Sequence, residues 1–274
     1  MEPSPEHRVR VKACRQSWML VAATVLLFAI APVLHAQSMG DTAPNVAEQF
    51  LLAAANQDRV ARGLQPLRLD PVLAQAALSH AREMAAHRSI SHQFPGEPQL
   101  SDRGANAGAR FSLITENVAQ APLSIMIHDL WMNSKGHREN LLDPNVDTVG
   151  ISVVERDGEY YAVEDFANLV RPLSFNAQES AVAGLLAKSG MQIANGTVMS
   201  EQDARQTCSM STGYVGSHPP RYIMRYTASN VTELPTQLQS RLNSGKYRQA
   251  VVSACAEGNS SPFTSYNIAV LLYP

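Results

Sequence analysis

The sequence predicts an α/β protein, a three-layer α/β/α sandwich followed by a small α+β domain. Three observations carry that expectation. Residues 46–61 and 70–87 place apolar side chains at helical spacing. Residues 148–169 instead alternate with a period of two about Arg156-Asp157-Gly158, the pattern of a hairpin. Arg171-Pro172 then interrupts the chain before further helices and strands. Helices first and a hairpin after suit helices packed against one sheet.

In the first helix Val46, Phe50, Ala53, Ala54, Gln57, Val60 and Ala61 fall at helical spacing, and Gly63 closes it. Asp70 is a good N-cap, with Pro71 where its missing N–H is harmless. From there Leu73, Ala76, Ala77, His80, Ala81 and Met84 run down one face to about His87. Residues 91–115 are rich in Gly, Ser and Asp and read as a long loop, a length that favours a functional role. A third helix follows from about Leu123, and a fourth opens at Ser134. Beyond Pro172, Asn176 caps a helix to Lys188, with Glu179 closing a capping box. Arg221–Ala228, Tyr247–Cys255 and Tyr266–Tyr273 read as strands, and Thr236–Asn243 as a short helix.

At 274 residues and 45% hydrophobic, the chain can fill two ordinary cores. A net charge of −2 and 6% aromatics speak against a nucleic-acid partner. Residues 1–36 read as a signal peptide. Arg8, Arg10, Lys12 and Arg15 precede an uncharged run from Trp18 to Ala31, and Leu34-His35-Ala36 offers cleavage after Ala36. The alternative is an uncleaved anchor, since about 17 apolar residues can just span a bilayer. Either way the remainder is expected to be secreted or periplasmic, touching the membrane through that segment alone. Cys14 leaves with the signal. Cys208 and Cys255 then form an even pair in an oxidising compartment, and a disulfide is the default.

The most informative stretch is Trp131 to Leu142, which combines a large aromatic, Ser134, Gly136-His137 and an apolar pair. His137 falls in the first turn of a helix, where it can face a cleft. His92 and Glu116, from separate segments, could meet it there. The ordered set Asn56-x-x-Arg59, Gly63, Pro66-Leu67, Leu69-Asp70, His92, Glu116-Asn117, Trp131, Gly136-His137-Arg138, Asn140-Leu141 and Val149-Gly150 resembles the bacterial branch of the CAP superfamily. These are the cysteine-rich secretory, antigen-five and pathogenesis-related proteins, also called SCP-like extracellular domains. The resemblance covers residues 44–172 and implies the α/β/α fold. Residues 175–274 resemble no family.

CAP proteins carry two His and two Glu in a central cleft, and some bind a divalent metal there. Carried over, the resemblance implies His92, Glu116 and His137. Ser134 stands where the second Glu belongs, and Thr115 where a Gly usually precedes Glu-Asn. The expected cleft is therefore His92, Glu116, Ser134 and His137. Zinc or another divalent metal on His92, His137 and Glu116 is a candidate cofactor, though two imidazoles and one carboxylate make a weak set. The implied function is binding of a small apolar ligand, peptide, cell-wall component or protein partner. The competing class is a hydrolase of peptide or cell-wall material, metal-assisted or built on Ser134, His137 and Glu116, with nothing in the sequence marking an oxyanion hole. His80 and His87 read as structural, and Trp131 as a core anchor.

Overall fold

The computed structural model describes residues 43–256 and 261–274; the signal segment and Cys14 lie outside them. Helix α1 (Val46–Ala61) begins with a capping box. Asn45 accepts from the Glu48 N–H, and the Glu48 carboxylate accepts from the Asn45 N–H. Its buried stripe is Leu51, Ala55 and Arg59, whereas Phe50 and Val60 face solvent. The face expected from the apolar residues is thus rotated. The reason is Arg59, whose guanidinium is buried because it donates to the carbonyls of Gln65, Leu141, Asp143 and Val146. A buried Arg is tolerated when its donors are matched in this way.

Strand β1 (Arg68–Leu69) leads into α2 (Pro71–His87), where Asp70 accepts from the N–H groups of Val72 and Leu73. The buried face of α2 includes all six residues its spacing marked. The expected loop over 91–115 contains two regular elements, α3 (Leu100–Ala107) and the start of β2 (Phe111–Ala121). A 3₁₀ turn (Ser124–Met126), α4 (Ile127–Asn133) and α5 (Lys135–Leu141) follow, then β3 (Thr148–Arg156) and β4 (Glu159–Leu169). The sheet order is β1-β3-β4-β2, with β1 parallel to β3 and the rest antiparallel. Helices α1, α4 and α5 cover one face around Trp131 and Phe166, and α2 packs on the other around Met84 and Val163. Gly150 permits that second contact. A Cβ there would lie 2.2 Å from the Leu73 carbonyl carbon and 2.3 Å from the Ala74 nitrogen.

The second half contains α6 (Phe175–Lys188), β5 (Gln192–Ile193), α7 (Glu201–Ser209), β6 (Tyr222–Ala228), α8 (Thr236–Leu242), β7 (Gln249–Cys255) and β8 (Tyr266–Tyr273). The N-cap of α6 is Ser174, not Asn176. Glu179 forms no capping box; it pairs with Arg205 and accepts from the Ala254 N–H. Cys208 and Cys255 form a disulfide.

The strand order here, β5-β7-β8-β6, repeats the first sheet element by element, with β5 parallel to β7. Helices α6 and α8 cover one face and α7 the other. The repeat extends to individual hydrogen bonds. Arg68 and Asp70 donate to the carbonyls of Asp147 and Val149, and Gln192 and Ala194 donate to those of Arg248 and Ala250. Helix α1 ends with Leu64 N–H bonded to Arg59 and Gly63 at φ 75°. Helix α6 ends with Met191 N–H bonded to Leu186 and Gly190 at φ 84°. The expected small α+β domain is therefore a second sandwich of the first one's topology. The sheets of the two sandwiches share no strand pairing. Residues 263–266 bridge them: Phe263 packs edge-on against Phe111, Thr264 donates to the Phe111 carbonyl, and Tyr266 donates to that of Arg171.

Two outcomes test this packing. Gly150→Ala forces α2 off the sheet and lowers stability by about 3 kcal/mol in a denaturant melt. Reducing Cys208–Cys255, which spans 47 residues, removes about 4 kcal/mol by loop entropy, read as a lowered melting point.

Candidate functional site

Strand β2 carries Glu116 in the middle of its length, and its alternation turns that side chain toward the α2 side of the sheet. Glu116 is buried and fully engaged. One oxygen lies 2.8 Å from His92 Nδ1, and the other accepts from the Arg103 guanidinium. Arg103, on α3, is itself buried and also donates to the carbonyls of His92 and Pro98. His80 stands behind this pair. Its Nε2 donates to the Ser91 carbonyl, while its Nδ1 is 2.6 Å from Glu97 Oε1. Glu97 reaches inward from a turn in which Phe94, Pro95 and Gly96 precede it, with Gly96 at φ 86° and the Glu97 N–H closing on the Phe94 carbonyl.

His137 arrives from the other direction, on α5. Asn117 donates to the His137 carbonyl, and Asn140 donates to the Glu116 carbonyl and to Asn117 Oδ1. These amides fasten α5 to β2. The His92 and His137 rings end 6.4 Å apart. Three of the four expected residues therefore share one locality, with Glu116 at its base and His92 62% exposed at its mouth. Ser134 sits at the N-terminus of α5 and makes no side-chain cap bond. The relay Ser134–His137–Glu116 is not assembled, because both Glu116 oxygens are taken and His137 Nδ1 is buried without a partner.

The two imidazoles differ electrostatically. The hydrogen bond to Glu116 raises the His92 pKa above 6.5, against the opposing effect of burial. Burial, helped by the charge of His92, lowers that of His137. Between those values His92 is a cationic donor and His137 a neutral ring.

Sequence reasoning missed four residues of this network. Glu97 and Arg103 lie in what read as loop. Glu164 and Asp165 lie on β4, which read as an ordinary strand. Asp165 faces Glu116 across the ladder. Burial first, then the Glu116 charge, push its carboxyl well above the usual range, with Arg103 opposing. Glu164 points to the opposite face beside Asn117, and burial pushes it up to about 8. The available signal was two consecutive acids inside a strand buried on both faces. His128, next to Asp129 in sequence, bonds Asp58 instead at 2.8 Å. His87 is exposed and stacks on Phe94.

A divalent metal would need His92, His137 and Glu116 together. Glu116 is spent on His92 and Arg103, so it orients an imidazole and is not free as a ligand. Among the described residues no three His, Cys, Asp or Glu side chains are grouped to hold a metal ion. This arrangement does not fit a resident metal.

Residues 52–166 match the model of the cysteine-rich secretory protein family, CAP. This segment is a CAP domain, and the three-layer fold agrees with it. The chain is 31% identical over 111 residues to the uncharacterised protein YkwD of Bacillus subtilis, covering 39% of this chain and 42% of that one. It is 30% identical over 118 residues to the uncharacterised membrane protein YlbC of the same organism, covering 42% and 32%. It thus spans less than half the length of these curated relatives. A solved extracellular protein containing an SCP domain, from Bacillus anthracis, aligns at 28% identity with a TM-score of 0.41, covering 44% of this chain and 40% of that one.

Titration by imidazole NMR checks the electrostatics. His92 titrates above 6.5 and His137 below it, and Glu116→Gln brings His92 down. The raised His92 contributes stability at low pH that is lost as pH rises through its folded pKa; the lowered His137 acts in the opposite sense. For Glu164 the folded state holds a proton between 4.5 and about 8 that the unfolded chain has released, so stability falls as pH rises across that window. Glu164→Gln accordingly raises the melting temperature more at pH 9 than at pH 5.

Proposed function

We propose that this chain is an exported CAP protein that binds a polar ligand, a peptide or a cell-wall component, in the cleft of His92, Glu116 and His137. One observation carries the reading. A buried Arg103–Glu116 pair holds His92 from behind, so its ring faces solvent beside His137. Such a pair recognises a group by hydrogen bonding, with His92 donating to a ligand oxygen. The same pairing supports a second reading, because an imidazole oriented by a carboxylate is the part a general base requires. Hydrolysis through His92 would use water as nucleophile, since Ser134 lacks a base. Binding is the stronger reading, because the Glu116 hydrogen bond raises the His92 pKa and so favours a ring that donates over one that takes a proton.

Export rests on residues 1–36 and on the extracellular label of the B. anthracis relative. Among the described residues no helix is long and apolar enough to cross a membrane.

The test compares the full chain with a His92→Ala/His137→Ala variant, using a capped tripeptide, palmitate and a peptidase substrate. The tripeptide should shift both imidazole signals, and the double variant should bind it at least about tenfold more weakly. Turnover that disappears in the double variant would favour the hydrolase instead. Palmitate binding unchanged in the double variant, with no tripeptide binding, would remove the cleft from the function.

A further inference from the structure

Helix α1 has two apolar faces, and only one of them is packed. Leu51, Ala55 and Arg59 turn inward, while the stripe marked by the sequence spacing, Val46, Phe50, Ala53 and Val60, lies exposed along the whole helix. Val46 is 83% exposed and Val60 58%. Positions 46, 50, 53, 57 and 60 alternate steps of four and three, the spacing of a coiled-coil seam. Gln57 takes one seam position, and Ala47, Ala54 and Ala61 run along one edge. No charge falls on this face. Glu48 is held by its own cap and by the Val153 N–H, Asp58 by Arg62 and His128, and Arg59 by the four carbonyls. Beside the seam, the 3₁₀ turn and α4 pack against α1 and leave Leu123, Ile125, Met126 and Leu130 exposed.

We propose that this face docks on the same face of a second copy of the chain, α1 against α1 across a two-fold axis. Area supports it. The large apolar side chains of the two rows expose roughly 700 Å², near the ~800 Å² each partner gives to a stable complex and above the largest patch of a typical monomer. The seam also complements itself. Two copies crossing antiparallel set Phe50 of each over Ala53 of the other, large against small. An uncharged face brings no like charges together when it meets its own copy. Gln57 is the polar seam residue that fixes register at a cost in affinity. A lipid surface fits less well. Helices that lie on membranes carry free Lys and Arg on their polar side. Here Arg59 is buried, and Arg62, just past the helix end, is held by Asp58. A short peptide fits less well too, because the face is the convex outside of a helix and offers no strand edge.

This proposal does not rest on the cleft reading. Sedimentation equilibrium of the full chain, from about 1 to about 100 µM, should show a reversible monomer–dimer equilibrium. Phe50→Glu and Ile125→Glu should each raise its Kd at least about tenfold. Both side chains are exposed, so the thermal melt of each variant measured as a monomer should match that of the parent monomer. Gln57→Leu should tighten the dimer at least about tenfold, a gain that misfolding cannot produce. A chain that stays monomeric throughout this range, or a dimer indifferent to Phe50→Glu and Gln57→Leu, would overturn the proposal. Flotation with phosphatidylcholine–phosphatidylglycerol vesicles, lost in Phe50→Glu and seen without any dimer, would overturn it in favour of a membrane surface.

Discussion

The CAP sandwich depends on one buried cation. Arg103 spans from α3 to the sheet and is surrounded by Glu116, Glu97 and the carbonyls of His92 and Pro98. A buried guanidinium of this kind must be matched by acceptors or the fold loses several kcal/mol. That requirement fixes the segment between α2 and β2, which is otherwise short of apolar anchors. His92 is presented by this segment, so its ring is positioned by the charge balance of the interior.

Around this cation three carboxyls crowd into one layer. Glu116 and Glu97 lie against positive or donor groups, while Asp165 is driven toward its neutral form by burial and by Glu116. Such a layer sets the His92 charge through Glu116. A change at Arg103 or Asp165 would therefore reach the cleft without touching it.

Much of the fold was legible in the sequence because it rests on local signals. The capping pattern of Asp70-Pro71, the alanine face of α2 and the Asp157-Gly158 turn each announce an element with a few residues. The parts that were not legible rest on long-range partners. Arg59 is absent from the apolar stripe that the spacing of the first helix marks, and it is buried because four carbonyls from beyond the helix collect on it. Helix α3 has a Gly at its centre and no side-chain cap, so its stability comes from packing on α2 and β2, with Phe111 and Ile114 filling the space beside Gly104. The site showed the same division. His92, Glu116 and His137 stood out by their ordered motif, but Glu97 and Arg103 have no sequence neighbours that mark them, and Asp165 has only the adjoining Glu164. Their role follows from the strand register and from a turn that points Glu97 inward.

The second sandwich acts as an internal comparison. Ala167 pairs with Thr148, and Tyr273 pairs with Gln249, in matching places. Continuing the registers places Ile223 where Glu116 stands, Met224 for Asn117, Val270 for Glu164 and Leu271 for Asp165. The helix-end hydrogen bonds place Leu186 where Arg59 stands. Every buried polar group of the first sandwich at these positions is apolar in the second, yet the strand order survives. Apolar replacement of a buried ionic network is often neutral or stabilising. The topology itself therefore does not require acids at these positions. A chain that holds two copies of one architecture confines these buried polar residues to one of them, the copy that contains His92, Glu116 and His137. The second copy keeps the sheet, exchanges the ionic layer for aliphatic packing and adds a disulfide between α7 and β7.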